Sequence, residues 1–381
     1  MKEESHILVR LFPYVYMDKL GGTTILYDTI SKKLAKLNFD EKCSYITKTA
    51  FSIKETPLNK IQVKIIEANK LGRLDYVRKS ADVLSDFSTM LYTRCMEALS
   101  NRYYKYTFSL SMVKKLFVNL SSSTNVFSGN KIYRGVQAKP YAVLPLLENH
   151  ISNLNKLSVI HIYATKELLT NFKNNILQLT KGYKIFIEIP WESYTNRIST
   201  LFKNATVILS INKLDANVLT ITREICSKKK NVNAAVYIHS ANEYKIYSEF
   251  VIKYNTRFIL KICPEANIHE FMNLLCYSEE DILSTSVNVA DCVRNEWINA
   301  LYFGNVYIDY NGKVMLNAEH NIGNIKNWSD IKFEKLLSKS SLWRCTRMGS
   351  KMKCNKCSFR NLCPPLSLCE ISNKTLFCKI K

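Results

Sequence analysis

The chain has 381 residues, 47% of them hydrophobic, with only 10 glycines and 8 prolines. That excludes low-complexity and collagen-like sequence and leaves length for two or three domains around a sizeable core. The formal net charge of +22 suits an acidic partner (nucleic acid, an anionic membrane or an acidic peptide), although a general lysine enrichment accounts for it equally well. No run of about 18 apolar residues occurs, so no membrane span is expected. The opening M-K-E-E-S-H-I-L-V-R puts charges on both sides of a very short apolar run and does not read as a signal peptide. A cytoplasmic location with reduced cysteines follows as the expectation.

Residues 1–110 read as an N-terminal α+β and helical region. I-L-V-R-L-F-P-Y-V-Y-M alternates apolar and aromatic residues, Gly21-Gly22 supplies a turn, and T-T-I-L-Y-D returns as a second strand. Thr29 to Lys36 then reads as a helix. A longer helix is expected from Ser80 to Ser100, where apolar positions recur at 3–4 spacing. Residues 1–60 are similar in outline to leader-peptide recognition domains of peptide-modifying enzymes, and equally to a simple N-terminal cap.

Residues 111–290 repeat in another way. Six β-runs, 113–120, 157–164, 183–190, 205–211, 232–239 and 257–263, are nearly continuous in β-branched and aromatic residues. Helical patterns alternate with them at a period of about 25 residues. Parallel strands covered by helices have this signature. It predicts an α/β fold, either a partial (β/α)6 barrel or an open doubly wound sheet. No G-x-G-x-x-G follows any strand, which weakens the dinucleotide-binding version of the latter.

Residues 291–381 hold the chemistry. Five of the 12 cysteines fall within the 25 residues from Cys354 to Cys378. Cys354 and Cys357 are spaced C-x2-C, Cys363 follows after five residues, Cys369 after five more, and Cys378 after a further eight. A C-x2-C turn aims two sulfurs at one centre, so a metal or iron–sulfur site is the natural reading. Cys354, Cys357 and Cys363 are the best ligands. Four thiolates suit either a [4Fe–4S] cluster or tetrahedral zinc. From residue 331 onward, 12 Lys and Arg face two acids, a formal +10 that favours thiolates. Of the scattered cysteines (Cys43, Cys95, Cys226, Cys263, Cys276, Cys292, Cys345), most read as buried structural thiols.

This layout resembles the radical SAM family with a SPASM extension. In that family the loop after the first strand carries C-x3-C-x2-C for the cluster that binds S-adenosylmethionine. Here that loop, L-S-S-S-T-N-V-F-S-G-N-K (120–131), has no cysteine, and the motif occurs nowhere. The second run ends Ile162-Tyr163-Ala164-Thr165 in place of a glycine-rich acidic motif. S-adenosylmethionine is therefore not expected. G-N-V-Y-I-D-Y-N-G-K-V-M-L-N (304–317), I-G-N-I (322–325), Trp328, Trp343 and C-x2-C-x5-C are similar to the SPASM region. Asn317 and Ser367 stand where the family places further cysteines, so one auxiliary cluster is implied rather than two.

The run C-x2-C-S-F-R-N-L-C-P-P-L-S-x-x-E with a later cysteine resembles the pseudo-radical-SAM/SPASM proteins that accompany Gly-Gly leader peptides. The resemblance implies Cys378 as fourth ligand, with Cys369 the alternative. It also implies an accessory protein whose partners are a radical SAM/SPASM maturase and a ribosomally made precursor peptide, which the basic charge of the tail would suit if acidic. Two other readings stand beside it. One is an active enzyme using the auxiliary cluster or an unrecognised site at the mouth of the barrel, where Glu188 and His239 end their β-runs. The other is a zinc-stabilised nucleic-acid binder, ranked last because finger and helix-turn-helix spacings are missing. His161 and His320 suggest no partner in the sequence.

Overall fold

The structure is a computed structural model that describes residues 6–39, 44–45, 50–77, 112–120, 143–151, 154, 156–213, 215–256, 258–263, 266–317, 320–331, 342–349 and 353–380. The N-terminal residues form β1 (His6–Leu11), β2 (Val15–Leu20), β3 (Thr23–Asp28), β4 (Leu34–Asn38), β5 (Ser44–Tyr45), β6 (Ala50–Lys54), α1 (Pro57–Ala68) and β7 (Gly72–Val77). They make two antiparallel sheets, of order β5-β6-β1-β7 and β2-β3-β4. The Gly21-Gly22 turn joins β2 to β3 as expected, with Gly21 at φ +59°.

The helix expected from Thr29 to Lys36 is instead a turn followed by β4. Asp28 accepts hydrogen bonds at Oδ1 from the backbone N–H of Ile30 (2.8 Å) and Ser31 (3.0 Å), which stabilises a turn in place of a helical start. Lys32 then adopts a left-handed conformation, and L-A-K-L-N alternates with Ala35 and Leu37 buried and Lys36 and Asn38 exposed. That period of two belongs to a half-buried strand. The helix expected from Ser80 to Ser100 lies outside the described residues.

The main body follows as β8 (Lys115–Asn119), α2 (Val143–Ile151), β9 (Val159–Tyr163), α3 (Lys166–Asn171), α4 (Lys173–Leu179), β10 (Lys184–Pro190), α5 (Asn196–Leu201), β11 (Thr206–Ile211), α6 (Ala216–Lys228), β12 (Val232–Ile238), α7 (Ala241–Tyr254), β13 (Ile259–Ile262) and α8 (Ile268–Leu275). After α9 (Glu279–Ser284) and α10 (Val289–Trp297) come β14 (Asn305–Ile308), β15 (Lys313–Asn317), β16 (His320–Asn324) and, near the end, α11 (Leu368–Asn373). Nine strands share one sheet of order β13-β12-β11-β10-β9-β8-β14-β15-β16. β8 to β13 are parallel neighbours in sequence order, and β14 adds in parallel beside β8. From β8 to β13 the order runs in one direction, and it reverses between β8 and β14.

Alternate residues of these strands go to different surroundings. Leu116, Val118, Ile160, Ile162, Ile185 and Ile187 pack into one apolar cluster with Leu144, Leu147, Leu169 and Ile176 of the helices. Phe117, His161 and Tyr163, on the other face, stack ring against ring. No helix among the described residues is long and apolar enough to cross a membrane.

The hairpin read from Asn311-Gly312 joins β14 to β15 in antiparallel register, Tyr307 opposite Met315 and Ile308 opposite Val314. It extends the main sheet at its β8 edge. Gly312 sits at φ +77°, and a Cβ there would lie 2.7 Å from Ile325 Cγ2. Gly312→Ala is therefore expected to destabilise the fold by about 1–3 kcal/mol in urea unfolding. Gly22→Ala, with open space around it, should stay within roughly 0.5 kcal/mol. Equal effects at the two positions would contradict this account of the turn.

Candidate functional site

The cysteine-rich tail folds as two tight turns and a short helix. A 3-10 turn, Lys353–Lys356, carries Cys354, and the Cys357 N–H donates back to the Cys354 carbonyl at 3.0 Å. Phe359, fully buried, anchors the second turn, where its carbonyl accepts from the N–H groups of Leu362 (2.9 Å) and Cys363 (2.8 Å). Ser367, at one of the family's cysteine positions, is the N-cap of α11 in a capping box with Glu370. The chain then runs beside Tyr277, whose N–H donates to Phe377 and whose carbonyl accepts from Lys379, and so fixes Cys378 between them.

Cys354, Cys357, Cys363 and Cys378 all line one cavity of about 1580 Å³. Cys345 lines it as well, a cysteine that its isolated place in the sequence did not single out. Cys369 does not. It is buried against Phe271, Tyr247 and Phe377 in a separate apolar cluster. Of the two fourth-ligand candidates, Cys378 alone shares the cavity with the other three. Cys43 and Cys95 lie outside the described residues. Cys263, Cys276 and Cys292 are buried thiols, while Cys226 and Cys345 are partly exposed.

Burial pushes the Cys354, Cys357 and Cys363 thiols up, Cys363 to about 12, and the nearby Arg347 guanidinium opposes the rise at all three. Arg347 is itself buried and donates to Cys354 Sγ (3.3 Å), the Pro364 carbonyl (2.6 Å) and Glu370 Oε1 (3.1 Å). Glu370, equally buried, also accepts from Ser367 N–H (2.9 Å), Ser367 O–H (3.0 Å) and Phe377 N–H (3.2 Å). Its lone pairs are thus filled, which an ion pair in low dielectric requires if it is to offset desolvation. One carboxylate ties Arg347, the start of α11 and the residue before Cys378 into a single unit. The Phe359 N–H faces Cys357 Sγ at 3.4 Å.

By its chemistry the donor set suits a thiolate-held group, a [4Fe–4S] cluster or zinc. Four thiols face one space, two of their sulfurs already receive N–H groups, and a cation stands beside them. Among the described residues, no three Cys, His, Asp or Glu side chains are gathered closely enough to hold a metal ion.

The sheet β2-β3-β4 forms one wall of the site. Asp18 on β2 makes a two-pronged pair with Arg360, both contacts 2.9 Å, and accepts from Asn361 at 3.0 Å. Tyr16 donates to Glu296 of α10 at 2.7 Å and accepts from Asn361 at 2.7 Å. Residues more than 340 apart in sequence therefore meet on the cysteine loop.

A second polar cluster lies on the main sheet. Glu188, 2% exposed, accepts from Tyr237 O–H at 2.6 Å, Lys261 Nζ at 2.8 Å and His161 Nε2 at 3.0 Å. Burial alone would raise its carboxyl, but the His161 hydrogen bond and the Lys261 charge outweigh it and bring the value down to about 2. Burial lowers His161, so at neutral pH the ring is uncharged and its Nε2 carries the proton it donates. Glu188 thus sits within a satisfied network rather than opening at a strand end, and His161 gains a partner. His239 instead lies 3.5 Å from Cys263. His320 falls in β16, and its side chain is outside the described set. The sequence did carry a signal for this cluster. K-I-F-I-E-I-P, V-I-H-I-Y and I-L-K-I-C each place one polar residue inside an apolar β-run, and a buried charge needs a partner.

No known protein-family model matches the sequence, and no curated protein matches it. Among solved structures, Streptococcus suis SuiB is similar over 97% of this chain and 100% of its own, at 10% identity and a TM-score of 0.43. SuiB bound to the precursor peptide SuiA is similar over 98% and 100%, at 12% identity and 0.41. His6-tagged anSMEcpe with bound AdoMet is similar over 68% of this chain and 94% of its own, at 12% identity and 0.39.

The Glu188 cluster predicts an acid-sensitive stability. A carboxyl depressed in the folded state contributes stability above its ordinary value near 4.5, lost as pH falls toward 2. His161, lowered from 6.5, acts in the same direction and begins the loss as pH drops through that value. In urea unfolding across pH, Glu188→Gln should lose about 3 kcal/mol at pH 7 and show a flatter decline below pH 4.5. An unchanged acid slope would contradict the assignment.

Proposed function

We propose that the chain is a catalytically degenerate, radical-SAM-like protein that serves as an accessory or peptide-binding partner of a radical SAM/SPASM maturase acting on a ribosomally made peptide in the cytoplasm. It holds one [4Fe–4S] cluster on Cys354, Cys357, Cys363 and Cys378. The observation that carries this reading is that these four cysteines, and not Cys369, line a single cavity. The motifs at 304–317, 322–325 and 354–378 supply the family resemblance. Six parallel strands in consecutive order suit a partial (β/α)6 barrel, with residues 1–110, 111–290 and 291–381 as its N-terminal, barrel and SPASM-like parts.

Bound there, such a cluster supplies either a structural cross-link or one-electron relay. The chain's own residues define the setting. Arg347 sets a charge and an N–H against Cys354, which offsets part of the negative charge of four thiolates and favours the reduced state. Glu370 holds Arg347 and the Phe377 backbone in place. The loop at 120–131 offers no thiolate, so cleavage of S-adenosylmethionine at the first strand is not part of the function.

Anaerobic purification with iron, sulfide and zinc analysis tests the site. The wild type should carry about four iron and four sulfide per chain. Serine at 354, 357, 363 or 378 should abolish loading, and Cys369→Ser should leave it intact. Zinc without iron would remove the cluster reading. Failure to retain either a co-expressed maturase or a precursor peptide in pull-down would remove the partner reading.

A further inference from the structure

The cavity at the tail is larger than a cluster requires. Its volume of about 1580 Å³ exceeds the ~300–1,000 Å³ of pockets that take drug-sized ligands. Three separate parts of the chain wall it: the sheet β2-β3-β4, the region of Met272 and Tyr277, and the cysteine-rich tail. None of its lining residues is acidic.

The cations around it divide into two kinds. Arg347 and Arg360 are engaged by Glu370 and Asp18 and by backbone carbonyls. Lys36, Lys353, Lys356 and Lys374 are exposed. Among the described residues no carboxylate stands within ion-pair distance of any of these four. The arginine fork grips carboxylate or phosphate at two points, whereas a lysine ammonium is a point charge that pairs with either singly. With the arginines occupied, the lysine charges call for an acidic ligand, and the apolar lining favours a peptide over a phosphate backbone. Leu20, Ile25, Met272 and Phe377 line the cavity along with the lysines, so apolar side chains are also accommodated.

We infer that this cavity binds an extended peptide segment in which acidic and apolar side chains are mixed, laid against the cysteine face of the tail with its carboxylates on Lys36, Lys353, Lys356 and Lys374. The inference rests on the peptide-partner reading above and gives it a location and a chemistry. It puts the peptide at the junction of the N-terminal sheet and the tail.

The test uses the full chain and a short fluorescein-labelled peptide of mixed Glu and Leu, followed by fluorescence anisotropy. The same preparations are assayed for iron and for retention of the maturase. The wild type should bind, with affinity that weakens as salt rises. A quadruple Lys→Gln variant at 36, 353, 356 and 374 should bind about tenfold more weakly, the sum expected of four exposed ion pairs. It should keep its iron. Lys229→Gln with Lys230→Gln, just after α6 and not in the cavity lining, should bind as the wild type does. Unchanged binding in the quadruple variant with iron retained would overturn the peptide site and leave the cluster reading standing. Equal binding of a Lys and Leu peptide, or displacement of the acidic peptide by an oligonucleotide at lower concentration, would overturn the inference as well. Loss of iron and of maturase retention in the wild type would count against the underlying reading instead.

Discussion

The buried pair between Arg347 and Glu370 is the contact on which the rest of the site depends. Arg347 is a buried cation that donates to Cys354 Sγ, and Glu370 is the group that holds it. A buried ion pair brings little net stability when its desolvation is counted, yet breaking one side of it is costly. Its value here is geometric. By accepting from Ser367 and Phe377 as well, Glu370 fixes the start of α11 and the last turn of the tail against each other. Cys378 is carried along by that turn. The serine and glutamate positions of a helix cap thus take part in building a thiol cavity.

The same logic extends outward. The tail is braced by the N-terminal sheet through Asp18 with Arg360 and Tyr16 with Asn361, and by α10 through Asn295, which donates to the Asn361 carbonyl. The hairpin of β14 and β15 is hydrogen-bonded into the main sheet next to β8. Trp343, 1% exposed, donates its indole N–H to the Asn305 carbonyl at the start of that hairpin. The cysteine loop therefore stands where the N-terminal sheet, the region of Met272 and Tyr277 and the tail meet, and its cavity has walls from all three.

Much of the architecture was legible in the sequence because its signals are periodic and local. Each of the six β-runs contains a strand, and the helices between them fall where the apolar spacing changes from continuous to 3.6. Asn311-Gly312 specified its hairpin by turn chemistry alone. The stretch after Asp28 was misread because Thr-Ile-Ser-Lys-Lys-Leu-Ala-Lys is compatible with helical spacing. The Asp28 side chain, by capping the turn, decided otherwise. Within the site, the spacing of Cys354, Cys357 and Cys363 pointed to one centre, and the structure adds their shared cavity. What sequence could not supply were the contacts made across the fold. Nothing local pairs Asp18 with Arg360, Arg347 with Glu370, or Glu188 with Lys261. Cys369 and Cys378 look alike in sequence, and only packing separates a thiol in an apolar cluster from one that faces the cavity.

On the proposed reading the tail cysteines hold an iron–sulfur cluster, in a chain whose loop 120–131 offers no thiolate for a second one that binds S-adenosylmethionine. Low-temperature electron paramagnetic resonance of the dithionite-reduced protein, recorded with and without S-adenosylmethionine, tests both halves together. The account predicts a reduced-cluster signal that is unchanged by the addition. A signal that shifts when S-adenosylmethionine is added, or the absence of any cluster signal in anaerobically reconstituted protein, would contradict it.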